Sequence, residues 1–166
     1  MLINALRGQA LPVYGDGKNV RDWLFVEDHC RGIAAALERG VEGRTYAFGG
    51  GSEKQNIELV TLLCDTLDRL FSRQPVYREK FPDAPAARGE RTSELMRFVT
   101  DRPGHDRRYA VDAGRAAAEL GFTPTFAMEE GLEKTVNWYL DNDAWWKGQL
   151  GAEYQRWVNM NYGARR

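Results

Sequence analysis

Short apolar runs alternate along the chain with longer stretches of helical periodicity. Runs of strand character are predicted at residues 11–14, 21–26, 45–48, 97–100 and 108–111. Apolar positions at helical spacing predict helices over residues 1–7, 26–37, 56–71, 112–120 and 128–140. Because strands alternate with helices, this pattern predicts an α/β fold with a partial sheet and mixed helices.

Two of the helical segments carry apolar stripes that we predict to face a core. The first stripe contains Val26, Cys30, Ile33, Ala34 and Leu37. The second stripe contains Ile57, Val60, Leu63, Cys64, Leu67, Leu70 and Phe71. Asp28 is predicted to cap the first of these helices. Residues 72–91 are polar with three prolines, so the pattern leaves open whether they form a long loop or an ordered insertion.

Length and charge exclude several classes of protein. At 166 residues the chain is predicted to form one domain with a proper core. Its net charge of −1 provides no basic field for nucleic acid or for an anionic membrane. No apolar run approaches the roughly 20 residues that a transmembrane helix needs, and residues 1–7 are too short for a signal peptide. Cys30 and Cys64 lie in apolar helical patterns and are predicted to be buried thiols. These features predict a cytoplasmic protein.

Two motifs match known signatures only in part. Residues 49–51 are three glycines after a predicted strand, but they lack both the GxGxxG spacing and a following GK[ST], so a tight turn is favoured. Tyr14 and Lys18 have the YxxxK spacing of a catalytic pair. That pair requires one helical turn between its members, whereas two glycines separate them here, so Tyr14 is interpreted as a stacking or base-edge contact. The chain shows no transition-metal ligand set and no nucleophile motif.

Two residues near predicted element starts are candidates for binding an anion. Arg21 follows a glycine turn and either makes a forked contact with a diphosphate or pairs with Asp22 or Asp28. Asn56 lies where a helix begins. Its side-chain amide and the free N–H groups of the helix either hold a phosphate oxygen, or Asn56 is a plain N-cap.

The turn at residues 102–105 is the more specific candidate. Pro103 fixes one backbone angle and Gly104 permits a close approach, so Arg102 and His105 are held in set directions. A solvated surface turn is the alternative interpretation. Tyr162, near the C-terminus, either packs on the surface or lays its ring against a ligand.

Five segments together resemble the dTDP-glucose 4,6-dehydratases, which are extended short-chain dehydrogenase/reductases. These segments are LPVYGDG at 11–17, RDWLFVEDH at 21–29, FVTDRPGHD at 98–106, KTVNWYL at 134–140 and NY at 161–162. The similarity runs over essentially the whole chain and corresponds to the C-terminal portion, somewhat under half, of such an enzyme. It implies the substrate-binding part of an extended SDR, that is, of an NAD(P)-binding Rossmann-like fold.

The resemblance also implies a binding site for a dTDP-sugar. It assigns Pro12, Val13 and Tyr14 to the thymine and its deoxyribose, and Arg21 and Asn56 to the diphosphate. The nucleotide site is completed, on the same basis, by Asp101, Arg102, Pro103, Gly104, His105 and Tyr162.

The resemblance implies equally clearly what this chain does not supply. The glycine fingerprint for NAD and the catalytic tyrosine and lysine of the family belong to a portion that residues 1–166 lack. The uncapped helix at Met1 agrees with a truncated chain. We therefore expect residues 1–166 to be one nucleotide-sugar-binding portion without the Rossmann portion. It would bind no NAD and have no activity alone, although its parent family converts dTDP-glucose into dTDP-4-keto-6-deoxyglucose and water for dTDP-rhamnose biosynthesis.

Three hypotheses follow from this expectation. The chain is part of a dTDP-glucose 4,6-dehydratase that an N-terminal Rossmann fragment complements in trans. Alternatively, it is a binding module that holds a dTDP-sugar without converting it. The third hypothesis keeps the extended family but changes the substrate, to that of a UDP- or GDP-sugar epimerase, decarboxylase or dehydratase.

Overall fold

The computed structural model of the chain describes residues 1–151 together with Arg156 and Met160. The helices are α1 Leu2–Leu6, α2 Val26–Arg39, α3 Asn56–Arg73, α4 Val76–Lys80, α5 Gly114–Leu120, α6 Met128–Asp141 and α7 Asp143–Gln149. The strands are β1 Leu11–Tyr14, β2 Val20–Asp22, β3 Glu53–Gln55 and β4 Met96–Val99, and two short 3₁₀ helices span Pro85–Arg88 and Thr92–Leu95. Within these described residues, no helix is long and apolar enough to span a bilayer.

The described residues fall into two compact units. The first unit contains residues 1–17, 60–105 and the described residues from 134 onward. The second unit contains residues 18–59 and 106–133. Each unit has its own two-stranded sheet: β1 pairs with β4 in the first, and β2 pairs with β3 in the second. The predicted role of residues 1–166 as one nucleotide-sugar-binding portion stays a prediction.

The core of the first unit is built on the helical stripe that the sequence predicts for α3. Its positions from Val60 to Phe71 are buried, and Leu11 and Val13 of β1 have no exposed surface. Burial raises the pKa of the Cys64 thiol to about 12, so this cysteine stays protonated and behaves as a small apolar side chain. The prediction of a buried thiol is confirmed for Cys64 and is wrong for Cys30, which is exposed.

Residues 72–91 form an ordered insertion rather than a long loop. The α4 helix and the 3₁₀ helix at Pro85–Arg88 give the segment its own structure, and Tyr77, Phe81 and Ala84 are buried. The Tyr77 hydroxyl donates a hydrogen bond to the Asp141 carboxylate at 3.2 Å. The insertion is therefore part of the core despite its polar composition.

Asp143, at the start of α7, accepts contacts from two lysines of the first unit. The Nζ atoms of Lys80 and Lys147 both lie 2.7 Å from its carboxylate oxygens. Hydrogen bonds from Lys147 and Lys80 lower the pKa of Asp143 to about 2.

The depressed pKa of Asp143 predicts a specific pH dependence of stability. The ion pairs of Asp143 with Lys80 and Lys147 stabilise the fold fully when the pH is above 3.8, the ordinary pKa of the carboxyl group. This contribution is lost as the pH falls from 3.8 through about 2. We expect the carboxyl ¹³C signal of Asp143 to titrate near pH 2. We also expect the difference in unfolding free energy between the wild type and Asp143→Asn to shrink over that interval. A midpoint near pH 4 would contradict this.

The second unit departs from the sequence prediction in its strands. The strand predicted at 21–26 ends at Asp22, because Phe25 already stands at the N-cap position of α2. Residues 45–48 and 108–111 are not strands: Tyr46 and Phe48 pack on an apolar cluster, and Arg108 makes only an isolated bridge to Val20. The unpredicted strand β3 consists of polar residues, which gave no apolar signal.

The outer face of α2 is apolar, which reverses the predicted orientation of its stripe. Val26, Ile33 and Leu37 are 61%, 49% and 89% exposed. The buried side carries small residues instead, because a Cβ atom at Gly32 would lie 2.8 Å from the Phe48 ring. Glycine at this position lets the helix approach Phe48, and the apolar stripe is left on the surface of the unit.

Asp28 lies within the first turn of α2 and is not its N-cap. Its side chain is 1% exposed, and it accepts hydrogen bonds from the backbone N–H groups of Thr125 and Phe126 at 3.1 Å. The guanidinium of Arg31 also contacts it. Asp28 therefore ties α2 to the segment that precedes α6, which is a tertiary role rather than a local one.

The helices predicted at 112–120 and 128–140 are confirmed, although the first begins at Gly114. The α5 helix ends at Gly121, whose φ of +64° is a left-handed conformation that favours glycine. Asp112 accepts a hydrogen bond from the Gly114 N–H at 2.8 Å. The predicted helix at 128–140 is α6, in which Val136 and Leu140 are fully buried.

Candidate functional site

In the first unit, the candidate site lies where two parallel strands end. Tyr14, the last residue of β1, is in register with Val99, the last residue of β4. The N–H of Gly15 donates a hydrogen bond to the Val99 carbonyl at 2.9 Å. Because both strands end at the same edge, Tyr14 and the turn at 101–105 are brought together there.

Gly15 allows the two loops at this edge to approach each other. Its φ is +57°, and a Cβ atom at this position would lie 2.9 Å from Oδ2 of Asp101. A side chain at Gly15 would therefore be strained in its backbone and would clash with Asp101. The glycine turn that the sequence predicts is confirmed.

Asp101 organises the turn that carries Arg102 and His105. Its Oδ1 atom accepts the N–H of Arg102 at 2.8 Å and lies 2.7 Å from Nδ1 of His105. The hydrogen bond from His105, together with the Arg102 backbone N–H and the charge of the Arg102 guanidinium, lowers the pKa of Asp101. An ionised carboxylate only accepts hydrogen bonds, so Nδ1 of His105 carries the proton.

Arg102, His105 and the Tyr14 ring lie side by side. The Arg102 Cζ atom is 5.3 Å from the centroid of the Tyr14 ring. The His105 ring meets the Tyr14 ring edge-on, at 6.4 Å between centroids and 82° between planes. We call Tyr14, Asp101, Arg102 and His105 the Tyr14 cluster. It combines an exposed cation, an oriented imidazole and an aromatic ring, which suit a phosphate and a base.

The other predicted residues of this unit are placed differently. Val13 is fully buried and offers no exposed surface to a ligand, while Pro12 is half-buried beside it. Pro103 and Gly104 are exposed, and Gly104 has a φ of +69° with open space at its Cβ position. Glycine is therefore favoured at 104 by the turn itself. The roles of these four residues toward a ligand stay predictions.

Arg21 lies on β2 in the second unit. Its Nη1 atom donates to the Val20 carbonyl at 2.6 Å, and its Nη2 atom donates to the Asp106 carbonyl at 3.0 Å. Its Cζ atom is 4.4 Å from the centroid of the Tyr109 ring. Asp22, one of the alternative partners, accepts the N–H of Ser52 at 2.8 Å. The predicted contact of Arg21 with a diphosphate stays a prediction.

Asn56 is the first helical residue of α3 rather than its N-cap. The Glu58 carboxylate accepts the Gln55 N–H at 2.7 Å, which is one half of a capping box with Gln55 at the N-cap position. The Asn56 N–H donates to the Asn19 carbonyl at 2.9 Å. The N-cap alternative is therefore wrong, and the contact of its side chain with a phosphate stays a prediction. Tyr162 lies outside the described residues.

Two residues around Arg21, Asn19 and Tyr109, were not predicted from the sequence. Asn19 is buried and donates to the same Asp106 carbonyl at 3.2 Å. The Tyr109 hydroxyl contacts the Asp106 carboxylate. In the sequence, Asn19 resembles any turn residue and Tyr109 any strand residue, because what joins them is a backbone bridge between distant segments.

Two of the three glycines at 49–51 are explained by contacts within the chain. A Cβ atom at Gly50 would lie 1.8 Å from the Trp23 carbonyl oxygen, and one at Gly49 would lie 2.4 Å from the Asp22 carboxylate. Tyr14 ends a strand and is followed by a turn, so its YxxxK spacing does not lie on a helix. Neither of these motifs, as the structure places them, fits NAD or the catalysis that uses it.

Comparison with known proteins assigns the family. A family model described as GDP-mannose 4,6 dehydratase matches residues 1–135. The chain belongs to this family of dehydratases. Among curated relatives, the dTDP-glucose 4,6-dehydratase of Neisseria meningitidis serogroup B is 49% identical over 155 residues. That match covers 93% of this chain and 41% of the relative, so the chain spans about two fifths of the length of such a protein.

Solved structures confirm the predicted fold. A dTDP-glucose 4,6-dehydratase of Streptomyces venezuelae with NAD and TYD bound matches with a TM-score of 0.71 and 40% identity. The match covers 89% of this chain and 39% of that one. An epimerase of Methanothermobacter thermautotrophicus, Mth375, matches with a TM-score of 0.64 and 27% identity, over 86% of this chain and 36% of that one. The α/β fold of an extended SDR and the resemblance to the dTDP-glucose dehydratases are both confirmed.

Proposed function

We propose that the chain is the C-terminal, nucleotide-sugar-binding part of a dTDP-glucose 4,6-dehydratase, and that it holds the dTDP group of the substrate. The observation that carries the proposal is the Tyr14 cluster, in which Arg102 and His105 are held beside an aromatic ring at the ends of β1 and β4. The high identity to dehydratases named for dTDP-glucose supports the choice of ligand.

Each member of the Tyr14 cluster has a distinct task in this proposal. Arg102 supplies a planar, permanently charged fork that suits a phosphate. Asp101 holds Nδ1 of His105 and thereby fixes the orientation of the imidazole beside the Tyr14 ring. The ring of Tyr14 provides a face for the base or the deoxyribose. The proposal assigns binding and orientation to these residues and no proton transfer.

The base specificity of the chain separates this proposal from its nearest alternative. Identity is 49% and 40% with the dTDP-glucose dehydratases but 27% with the epimerase, which supports dTDP over other nucleoside diphosphates. Calorimetric titration with dTDP, UDP and GDP tests this choice. We expect dTDP to bind at least tenfold more tightly than UDP or GDP. Equal or tighter binding of UDP or GDP would favour the fragment of another nucleotide-sugar enzyme.

We propose further that the chain does not convert dTDP-glucose by itself. The motifs that would hold NAD or supply the tyrosine–lysine pair are used for turns and close packing in this chain. A separate polypeptide that carries the remaining three fifths of a family member would supply these functions. Such a partner needs an apolar surface to dock on, and the outer face of α2 offers one.

Substitution of the outer face of α2 tests the docking of such a partner. Leu37 is 89% exposed, so Leu37→Glu should leave the unfolding free energy within about 0.5 kcal/mol of the wild type. We expect the same change to reduce by at least tenfold the dehydratase activity that appears when the chain is mixed with the unmatched part of the Neisseria meningitidis relative.

Glu38→Lys is the matched control for this experiment, because its side chain is 68% exposed on the same helix outside the apolar stripe. It should leave the recovered activity unchanged. Full activity with Leu37→Glu would remove the α2 face as the docking surface. No keto-sugar product from the wild-type mixture would count against complementation in trans.

A further inference from the structure

We infer that Tyr109 is a positioning residue, which holds the Arg21 guanidinium in the orientation that receives a diphosphate. The inference rests on the proposed function, in which the chain binds a dTDP-sugar, and on the family resemblance, which assigns Arg21 to the diphosphate. Beyond the proposed function, the inference identifies Tyr109 as the residue that sets the direction of the Arg21 guanidinium. No sequence motif indicated Tyr109, and all of its contacts with Arg21 and Asp106 lie within the second unit.

The backbone of the second unit places Tyr109 beside Arg21. Strand β2 pairs with β3 on one side, and on its other side Val20 forms a parallel bridge with Arg108. The Val20 N–H donates to the Arg107 carbonyl at 2.8 Å, and the Tyr109 N–H donates to the Val20 carbonyl at 3.1 Å. The segment at 107–109 is thereby fixed along the strand that carries Arg21.

The contacts of Arg21 with this segment fix its guanidinium from two directions. Its Cζ atom lies 4.4 Å from the centroid of the Tyr109 ring, which is a cation–π distance. Its Nη2 atom donates to the Asp106 carbonyl at 3.0 Å. The contact with the Tyr109 ring sets the tilt of the guanidinium plane, and the hydrogen bond to the Asp106 carbonyl sets the rotation of the guanidinium within that plane.

The Tyr109 ring is itself fixed by its neighbours. Its hydroxyl donates a hydrogen bond to the Asp106 carboxylate, on the residue whose carbonyl receives Arg21. Asn19, which is buried, donates to that same carbonyl at 3.2 Å. Arg21, Asp106 and Tyr109 therefore form one small arrangement in which each member limits the movement of the next.

Tyr109 is too exposed to be a core residue, which favours a positioning role. The residue is 53% exposed, so its ring adds little to the buried core. Its contact with Arg21 matters when the guanidinium has to be ordered for a ligand, because ordering a long side chain on binding costs free energy. Loss of the ring should therefore affect anion binding more than stability.

Binding measurements with Tyr109→Ala and Tyr109→Phe test the inference. The alanine variant should weaken dTDP binding about two- to fivefold, the range of an exposed cation–π contact. The phenylalanine variant keeps the ring and should stay within about twofold of the wild type. In an Arg21→Ala background, Tyr109→Ala should have no further effect. An equal effect with and without Arg21 would overturn the inference.

A second measurement needs no ligand. In the wild type, the ring current of Tyr109 should shift the Arg21 Nε–Hε resonance upfield. This shift should vanish in Tyr109→Ala and persist in Tyr109→Phe. Tyr46→Ala is a matched control, since Tyr46 lies in the same unit and bonds Glu119 instead. An Arg21 resonance that is unchanged in Tyr109→Ala would overturn the inference.

The dTDP affinities of Arg21→Ala and Tyr109→Ala distinguish failure of the inference from failure of the proposed function. If Arg21→Ala binds dTDP as tightly as the wild type, the assignment of Arg21 to the diphosphate fails, and with it the inferred purpose of Tyr109. If Arg21→Ala weakens binding but Tyr109→Ala does not, only the inference fails. Thermal unfolding of each variant shows whether a loss of fold explains its result.

Discussion

Replacing Arg102 by alanine is expected to weaken dTDP binding by about 1.5–3 kcal/mol, which corresponds to roughly 10- to 150-fold in Kd. The guanidinium is exposed, so its removal leaves no cavity and breaks no core contact. Its place beside the Tyr14 ring is set by the turn that Asp101 organises, and that turn is held by the backbone N–H of residue 102 rather than by its side chain. The expected effect is therefore on the affinity and not on the fold.

A matched variant and a conservative variant sharpen this test. Arg97 lies on β4, the strand that leads into this turn, and its guanidinium donates to the Glu94 and Met96 carbonyls, so Arg97→Ala should leave Kd within about twofold. Arg102→Lys keeps a charge but loses the planar fork, and it should fall between the wild type and alanine. Calorimetric titration measures all three. Unchanged affinity in Arg102→Ala would remove Arg102 from the site.

Replacing Asp28 by alanine is expected to reduce the free energy of unfolding by about 2–4 kcal/mol. The side chain is 1% exposed, and its loss leaves the N–H groups of Thr125 and Phe126 without their acceptor. Burial by itself would raise the pKa of Asp28, yet the hydrogen bonds from Arg31 and from these two N–H groups lower it. The folded state therefore favours the ionised carboxylate.

The size of this loss separates two roles for Asp28. An N-cap, as the sequence predicts, would contribute about 1 kcal/mol, whereas a buried acceptor for two distant N–H groups contributes more. Glu27→Ala is the control, because Glu27 is exposed in the same helical turn and should change stability by less than about 0.5 kcal/mol. Denaturant unfolding gives both values. A loss of about 1 kcal/mol or less for Asp28→Ala would contradict the tertiary role.

The sequence predicts elements well where one local pattern decides them. The buried face of α3 follows from apolar spacing, and β1 follows from an apolar run that a glycine turn ends. The turn at 101–105 is also predictable, because proline, glycine and an internal carboxylate restrict it locally. The same turn carries most of the Tyr14 cluster, so much of the candidate site in the first unit could be anticipated.

Prediction from the sequence fails where packing between distant segments determines the local structure. On α2, the close approach of Gly32 to Phe48 outweighs the apolar periodicity, and the stripe with Leu37 is turned outward. Residues 45–48 have strand-like composition, but a strand also needs a hydrogen-bonding partner, and none pairs with them in the described part of the chain. The arrangement of Tyr109 on Arg21 depends on a bridge between residues 20 and 108, which no local pattern encodes.

Titration of the purified full chain with dTDP in a calorimeter tests the central claim most directly. The proposal predicts a saturable heat of binding, with thymidine alone binding more weakly because Arg102 then has no phosphate to contact. No heat at millimolar dTDP, from a chain shown to be folded by its thermal transition, would contradict the claim that these residues bind a dTDP-sugar.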